Sequence, residues 1–390
     1  MDNNVTPVLI FAPGLGRYDA NTGDGVADAL AVSIGRLTHG HCSTTTDATV
    51  TAPTGLRVAK TITNASGEAI LQVFELDYLG KLDPEPQLAG PRVVPGLFRS
   101  GAYAVVGCLK LVAALRRPAK TWMTKAQLFL GFLLVALLGF AALVALYAAL
   151  VAMDVDLPWP GVFGEQAAPW TFGIASLGVV ATWSRIRKKA LALAGTTQNL
   201  IRFVTNEDST ADTVALQVDN AVDGLRDNGW TGAIHLAGYS FGSLVLIESL
   251  FPRITSRRSN ERIATVASLT TIGCPIDMVR LYQPDFTKDR EERRPELPWK
   301  NVFNAADIFG SNLLNGDDKN PGTSNVLDFV TKQPESAQYG SDRLGLLQIF
   351  TSGKLHASYW GAPDRANCFD PLIPGWLGQA EADPEPAPAE

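Results

Sequence analysis

The sequence predicts an α/β protein with a mostly parallel sheet, interrupted by a helical hairpin that crosses a membrane. Three observations predict it. Short apolar runs alternate with stretches of helical spacing, the pattern of a parallel sheet covered on both faces. From Gln127 to Met153 there are 27 residues without a charge. Charged residues make up 18% of the chain, below the roughly 25% of an average soluble domain, and a membrane segment accounts for that deficit.

The elements follow in order. Val8 to Phe11 is a short apolar run ending in Pro13-Gly14, a buried strand. Residues 24–37 have helical spacing, and Ile70 to Leu76 reads as another strand. Beyond the apolar segment, Ala211 to Leu225 is a helix with Asp212 in its first turn. Ala233 to Ala237 is a strand and Ser243 to Leu250 a helix. Ile263 to Ile272 contains a strand that ends at Gly273, and Asn301 to Asn304 and Leu346 to Phe350 are two more. Residues 284–298 are charged and Pro-rich and read as an exposed loop. The tail from Glu381 is acidic and Pro-rich, with too little apolar surface to order it. The expected organisation is residues 1–110 and 191–375 as two parts of one catalytic domain, 111–190 as the membrane insertion, and 376–390 as the tail.

The run 127–153 would extend ~40 Å as a helix, more than the ~30 Å hydrocarbon core. A second run, Ala167 to Ser184, contains Gly and Pro and would extend only ~27 Å. Trp159, Trp170 and Trp183 fall near the expected interfaces. Lys110, Arg116, Arg117, Lys120 and Lys125 precede the first run, and Arg185, Arg187, Lys188 and Lys189 follow the second. The connecting loop has only Asp154, Asp156 and Glu165. By the positive-inside rule both ends face the cytoplasm. The alternative to two crossings is a re-entrant hairpin, for which Gly131, Gly139, Gly173 and Gly178 leave room. Tyr103 to Leu115 reads equally as an interfacial helix or as core. The Ala-rich composition points to a bacterial inner membrane.

Several classes are disfavoured. A net charge of −6 lacks the basic footprint of a nucleic-acid binder. Cys42, Cys108, Cys274 and Cys368 lie far apart, without CxxC or zinc spacing, and read as free thiols. No metal and no cofactor is expected: there is no HExxH, no GxxxxGK[ST], and Asp19 stands where a dinucleotide fingerprint beginning at Gly14 needs glycine. The N-terminus has no basic region before its short apolar run and does not read as a signal peptide.

The pentapeptide Gly238-Tyr239-Ser240-Phe241-Gly242 lies between a strand and a helix. That context suits a serine on a strained turn, with small flanks for close packing and a helix N-terminus behind it. A serine nucleophile needs a base. Of four histidines, His39 and His41 come early, His235 lies in the strand itself as a packed residue, and only His356 follows, on a loop. The acid falls between Ser240 and His356. Asp307 follows the strand-like VFN and is preferred, with Asp277 as the alternative. Its role would be to fix the imidazole tautomer. The oxyanion donors would be the N–H of Phe241 and one from the glycine-rich turn after the first strand, Leu15 first and Gly16 second.

With IFAPGLG, GYSFG, TIGCPI, WKNVFNAADIFG and LHASYW in that order, the chain resembles an α/β-hydrolase of the lipase/esterase type over residues 5–80 and 190–365. The resemblance implies a serine hydrolase acting on acyl bonds through an acyl-enzyme. Pro13 stands where many members have His before Gly, and the hairpin is not a usual feature, so relatives' substrates do not transfer. Leu15 precedes the hairpin while Ser240 and His356 follow it, so a shared site requires an even number of crossings. The expectation is a membrane-anchored hydrolase of carboxylic esters, with a membrane lipid or acyl-lipid as substrate. Two alternatives are a tethered hydrolase of soluble thioesters or peptides, and a non-catalytic scaffold that keeps the fold.

Overall fold

The computed structural model describes residues 5–15, 22–46, 52–82, 106, 133, 136, 139, 198–254, 262–304, 307, 309–313, 327, 329–339, 356, 359–360 and 367–378. The chain divides into two compact units. The first comprises Met1–Pro84, Pro118–Gln127 and Leu200–Glu390; the second comprises Glu85–Arg117 and Leu128–Asn199.

The first unit is α/β. Strand β1 (Val8–Ala12) is wholly buried, between Pro7 and Pro13. Helix α1 (Gly23–Leu37) is capped by Thr22, whose hydroxyl accepts the Gly25 N–H at 3.4 Å. Asp24 in its first turn and Arg36 in its last suit the helix dipole. Val26, Leu30 and Ile34 recur at helical spacing and form its buried stripe. Strands β2 (Ser43–Thr45), β3 (Leu56–Thr63) and β4 (Ala69–Leu76) follow. Helix α2 (Thr210–Asp227), strand β5 (Ile234–Tyr239) and helix α3 (Phe241–Leu250) come next. All ten residues of α3 are buried, its polar Ser243, Glu248 and Ser249 each with a partner in the interior. The remainder is β6 (Ser268–Ile272), α4 (Ile276–Tyr282), β7 (Trp299–Phe303), β8 (Glu335–Gln338) and α5 (Ile373–Trp376).

Among the described residues the sheet has eight strands in the order β2-β3-β4-β1-β5-β6-β7-β8. The β2–β3 and β3–β4 pairs are antiparallel and the others parallel. Period-two alternation divides β1 between two cores. Val8, Ile10 and Ala12 pack with α2, α3 and α4, while Leu9 and Phe11 pack with α1 and α5. Each buried Leu, Ile or Val contributes about 1.5–3 kcal/mol.

Strand β1 lies between β4 and β5. The chain leaves it on one side and returns on the other. The carboxyl ends of β1 and β5 at that reversal are where α/β sheets bind ligands.

Three expectations need correction. Strands β2, β3 and β8 form sheet edges or join them, where no element was expected; β2 and β8 have no fully buried residue, so they lack an apolar signature. Residues 284–298 are not a simply exposed loop, because Phe286, Thr287, Arg290 and Leu297 are buried. The Arg290 guanidinium is drawn inward by Glu248 of α3, at 3.0 Å, and by the carbonyls of Phe251 and Phe286. His356 is helical in conformation instead of lying on a loop.

Among the described residues no helix is long and apolar enough to cross a membrane. The two expected spans, 127–153 and 167–184, lie outside the described residues except for Leu133, Ala136 and Gly139, which are helical. The expected strand 346–350 and the tail from Glu381 also lie outside them. Cys42, Cys274 and Cys368 are free thiols; Cys108 lies outside the described residues.

Candidate active site

The site begins at the carboxyl end of β5. There the chain turns from strand to helix within one residue, and Ser240 takes φ 53° and ψ −121°. A positive φ at a non-glycine residue costs about 1–3 kcal/mol and persists only where its surroundings enforce it. The neighbours supply that enforcement. The Ser240 N–H donates to the Ile272 carbonyl at the end of β6, at 2.8 Å. A Cβ at Gly238 would lie 2.6 Å from Ser243 Cα, and one at Gly242 only 2.0 Å from the Ala12 carbonyl oxygen. Glycine at both flanks is therefore a packing requirement of the turn.

The other two groups come to Ser240 from later in the chain. Asp307 follows β7 and is wholly buried. Its Oδ2 lies 2.7 Å from His356 Nδ1, and His356 Nε2 lies 2.8 Å from Ser240 Oγ. An ionised carboxylate only accepts. The Nδ1–H therefore donates to Asp307, and Nε2 is left to accept the Ser240 hydroxyl proton. The sequence-singled residues Ser240, His356 and Asp307 thus form one hydrogen-bonded chain. The alternative acid, Asp277, lies in the first turn of α4, where its backbone N–H donates to Ser311 Oγ at 2.9 Å. The Nδ1 of His356 is taken by Asp307. His39 and His41 are exposed beyond the end of α1.

The glycine turn after β1 also reaches the serine. A Cβ at Gly14 would lie 3.1 Å from Ser240 Cβ and 3.1 Å from the Tyr239 ring. The buried Tyr78 hydroxyl donates to the Pro13 carbonyl and pins the turn. Burial, with the nearby Glu75 charge, keeps that phenol protonated well above its ordinary range. Leu15 is partly buried against the larger core; Gly16 lies outside the described residues. Phe241 opens α3, and its ring is fixed by Phe203 at 4.8 Å and Tyr78 at 6.1 Å. Its backbone N–H stands at a helix N-terminus directly after the serine, where developing negative charge is stabilised.

Aromatic side chains that the sequence did not single out hold the imidazole. Tyr239 stacks on His356 at 5.2 Å and donates its hydroxyl to the His356 carbonyl. Phe309 packs at 5.1 Å from another direction, itself 38% exposed. Tyr359 meets the ring edge-on at 6.3 Å. A legible signal existed for Tyr239, the residue before the serine, and for Tyr359, three residues after the histidine.

Two other groups near the strand ends are set aside by their environment. Burial pushes the Cys274 thiol up to about 12, so it is no thiolate nucleophile near neutrality. His235 faces the core, with Nδ1 2.8 Å from Ser268 Oγ. Burial pushes it from 6.5 down to about 4, partly offset by the Trp376 backbone. The unfolded chain therefore takes up this proton at higher pH than the folded one. The associated stability is present above about pH 6.5 and is lost as pH falls towards about 4, roughly 3 kcal/mol in all. Urea unfolding at pH 7 and pH 4 should show that slope, and His235→Gln should flatten it.

No protein-family model, no curated protein and no solved structure matches the chain. What the site can do follows from its geometry: a serine oxygen, an imidazole that accepts its proton, a buried carboxylate that orients the imidazole, and a helix N-terminus behind.

Proposed function

We propose that the chain is a membrane-anchored serine hydrolase of the α/β-hydrolase fold, cleaving carboxylic esters of lipid or acyl-lipid substrates. The hydrogen-bonded chain Ser240–His356–Asp307 carries the reading. Ser240 Oγ bonds to the ester carbonyl carbon as its proton passes to His356 Nε2. The carbonyl electron pair moves onto oxygen, facing the N–H of Phe241 and that of Leu15 or Gly16. The pair returns, the bond to the alcohol oxygen breaks, and that oxygen takes the proton from Nε2. Water repeats the sequence on the acyl-serine, releasing the acid and restoring Ser240.

The membrane anchor is proposed from the uncharged run 127–153 and its basic flanks. Strand β1 pairs directly with β5, although the two lie on either side of that run in the sequence. This supports an even number of crossings, with the hairpin returning the chain to one side. Tethering raises the local concentration of a membrane substrate.

The test is hydrolysis of p-nitrophenyl esters, offered as monomers and as mixed micelles, by membranes that hold the full chain. The expected result is an acyl-serine at Ser240 by mass spectrometry after an acid quench, and faster turnover of long micellar esters. Preference for short monomeric thioesters would overturn the lipid reading. Release of the chain by alkaline carbonate would overturn the anchor.

A further inference from the structure

The buried carboxylate of the site has a third donor that the hydrolase mechanism above does not use. Asp307 Oδ1 accepts the Phe309 N–H at 2.9 Å, while Oδ2 accepts both His356 Nδ1 at 2.7 Å and the Tyr359 hydroxyl at 2.8 Å. The Tyr359 oxygen in turn accepts the Asn304 N–H at 3.1 Å. Its lone pair is engaged and its proton is directed at Asp307.

Tyr359 is 1% exposed, and the surrounding chain is shaped around its ring. A Cβ at Gly273, where φ is +57°, would lie 2.9 Å from Tyr359 Cε2; one at Gly310 would lie 2.7 Å from the Tyr359 hydroxyl and 2.9 Å from Asp307 Oδ2. Burial, with the Asp307 charge beside it, raises the phenol well above its ordinary range, so it stays a donor. A buried tyrosine needs only one partner for its hydroxyl. Here the partner is the same oxygen that orients the imidazole.

We propose that Tyr359 is a positioning residue for the reaction: its hydroxyl fixes Asp307 Oδ2 in line with His356 and draws off part of that oxygen's charge. The proposal rests on the serine-hydrolase reading. Two consequences follow. Without the hydroxyl, Oδ2 loses a fixed direction, and the imidazole it holds drifts from Ser240 Oγ; small misplacements of this kind are costly. The carboxylate also carries its charge undivided and stabilises an imidazolium more strongly. The histidine then holds its proton to higher pH, which removes the free base that the first step needs. Among the described residues, the titratable groups facing His356 are Ser240, Tyr239, Asp307 and Tyr359, and only Asp307 is a carboxylate.

The experiment compares wild type, Ser240→Ala, Tyr359→Phe, and the chain with 3-fluorotyrosine at position 359, using p-nitrophenyl ester hydrolysis by the full membrane-bound protein. Tyr359→Phe should lower kcat about 10- to 100-fold, the loss of one hydrogen bond to a charged group, with KM unchanged. Its acid limb of kcat/KM should move to higher pH. Fluorotyrosine keeps the shape and is a stronger donor, so its acid limb should move to lower pH. In an Asp307→Asn background, Tyr359→Phe should cost less than twofold more, because the tyrosine acts through the carboxylate. Full activity in Ser240→Ala would sink the hydrolase reading itself. Loss in Ser240→Ala, with an unmoved acid limb for both tyrosine replacements, would overturn only the role of Tyr359. An equal kcat loss in the Asp307→Asn background would also overturn it. Should the Phe chain fail to fold, the fluorotyrosine limb decides alone.

Discussion

Ser240→Ala and His356→Ala should each lower ester hydrolysis by roughly 10⁴- to 10⁶-fold, with the double replacement little worse than either single one. That non-additivity is the expected result for groups that act as one unit. Among the described residues the acceptor for the proton that leaves Ser240 Oγ is His356 Nε2, at 2.8 Å. Removing either end of that bond removes the step. KM should change little, since neither side chain is asked to bind the uncharged ester. Ser240→Ala should change the melting temperature by only a few degrees, because it loses one hydrogen bond, to His356 Nε2, and keeps the same backbone turn. Steady-state kinetics on both singles and the double, with thermal melts as controls, check this. A double replacement that is worse by the product of the two singles would mean that the residues act separately.

The second large effect concerns stability. Glu248 and Arg290 are paired at 3.0 Å, with side chains 1% and 0% exposed. Arg290 also donates to the Phe251 and Phe286 carbonyls and lies 4.4 Å from the Phe286 ring centroid. Glu248→Ala leaves a guanidinium buried without its counter-charge, a loss of about 3–5 kcal/mol. Replacing both with apolar residues of similar volume, Glu248→Leu with Arg290→Met, should restore only part of that loss, because Arg253, whose Nε lies 3.6 Å from Glu248 Oε2, also loses its carboxylate. Urea unfolding of the two single replacements and the pair measures it. A single replacement within about 0.5 kcal/mol of wild type would mean that water reaches the pair. Glu248 lies on α3, which directly follows the serine, so Glu248→Ala should also reduce activity as temperature rises.

The sequence made parts of this molecule legible for definite physical reasons. Strand β1 is buried on both faces and reads as an unbroken apolar run, whereas β5 carries His235 and β6 carries Thr270 and Thr271. Ser240 was recognisable because the turn demands glycine on both sides: Gly238 and Gly242 have no room for a Cβ. His356 stood out because it is the only histidine after that turn, and Asp307 because it follows a strand. The pairing of Arg290 with Glu248 was not legible. A stretch as charged as 284–298 reads as solvent-exposed, and its partner lies 42 residues away. Strands β2 and β8 escaped for the opposite reason, since edge strands need few apolar residues. The tyrosines were hidden by their ambiguity. Tyr78, Tyr239 and Tyr359 look like core residues, and they are; what the sequence does not show is where each hydroxyl points. Tyr78 holds the Pro13 carbonyl, Tyr239 the His356 carbonyl, and Tyr359 the Asp307 carboxylate.

The central claim is that Ser240 is an activated nucleophile. A fluorophosphonate probe reacts covalently with such a serine and with little else. It should be applied to membranes containing wild type, Ser240→Ala, His356→Ala and Asp307→Asn. Wild type should be labelled at Ser240, Ser240→Ala and His356→Ala not at all, and Asp307→Asn slowly. A folded, membrane-bound wild type that takes up no label, or a Ser240→Ala chain labelled as fast as wild type, would mean that Ser240 is not an activated nucleophile.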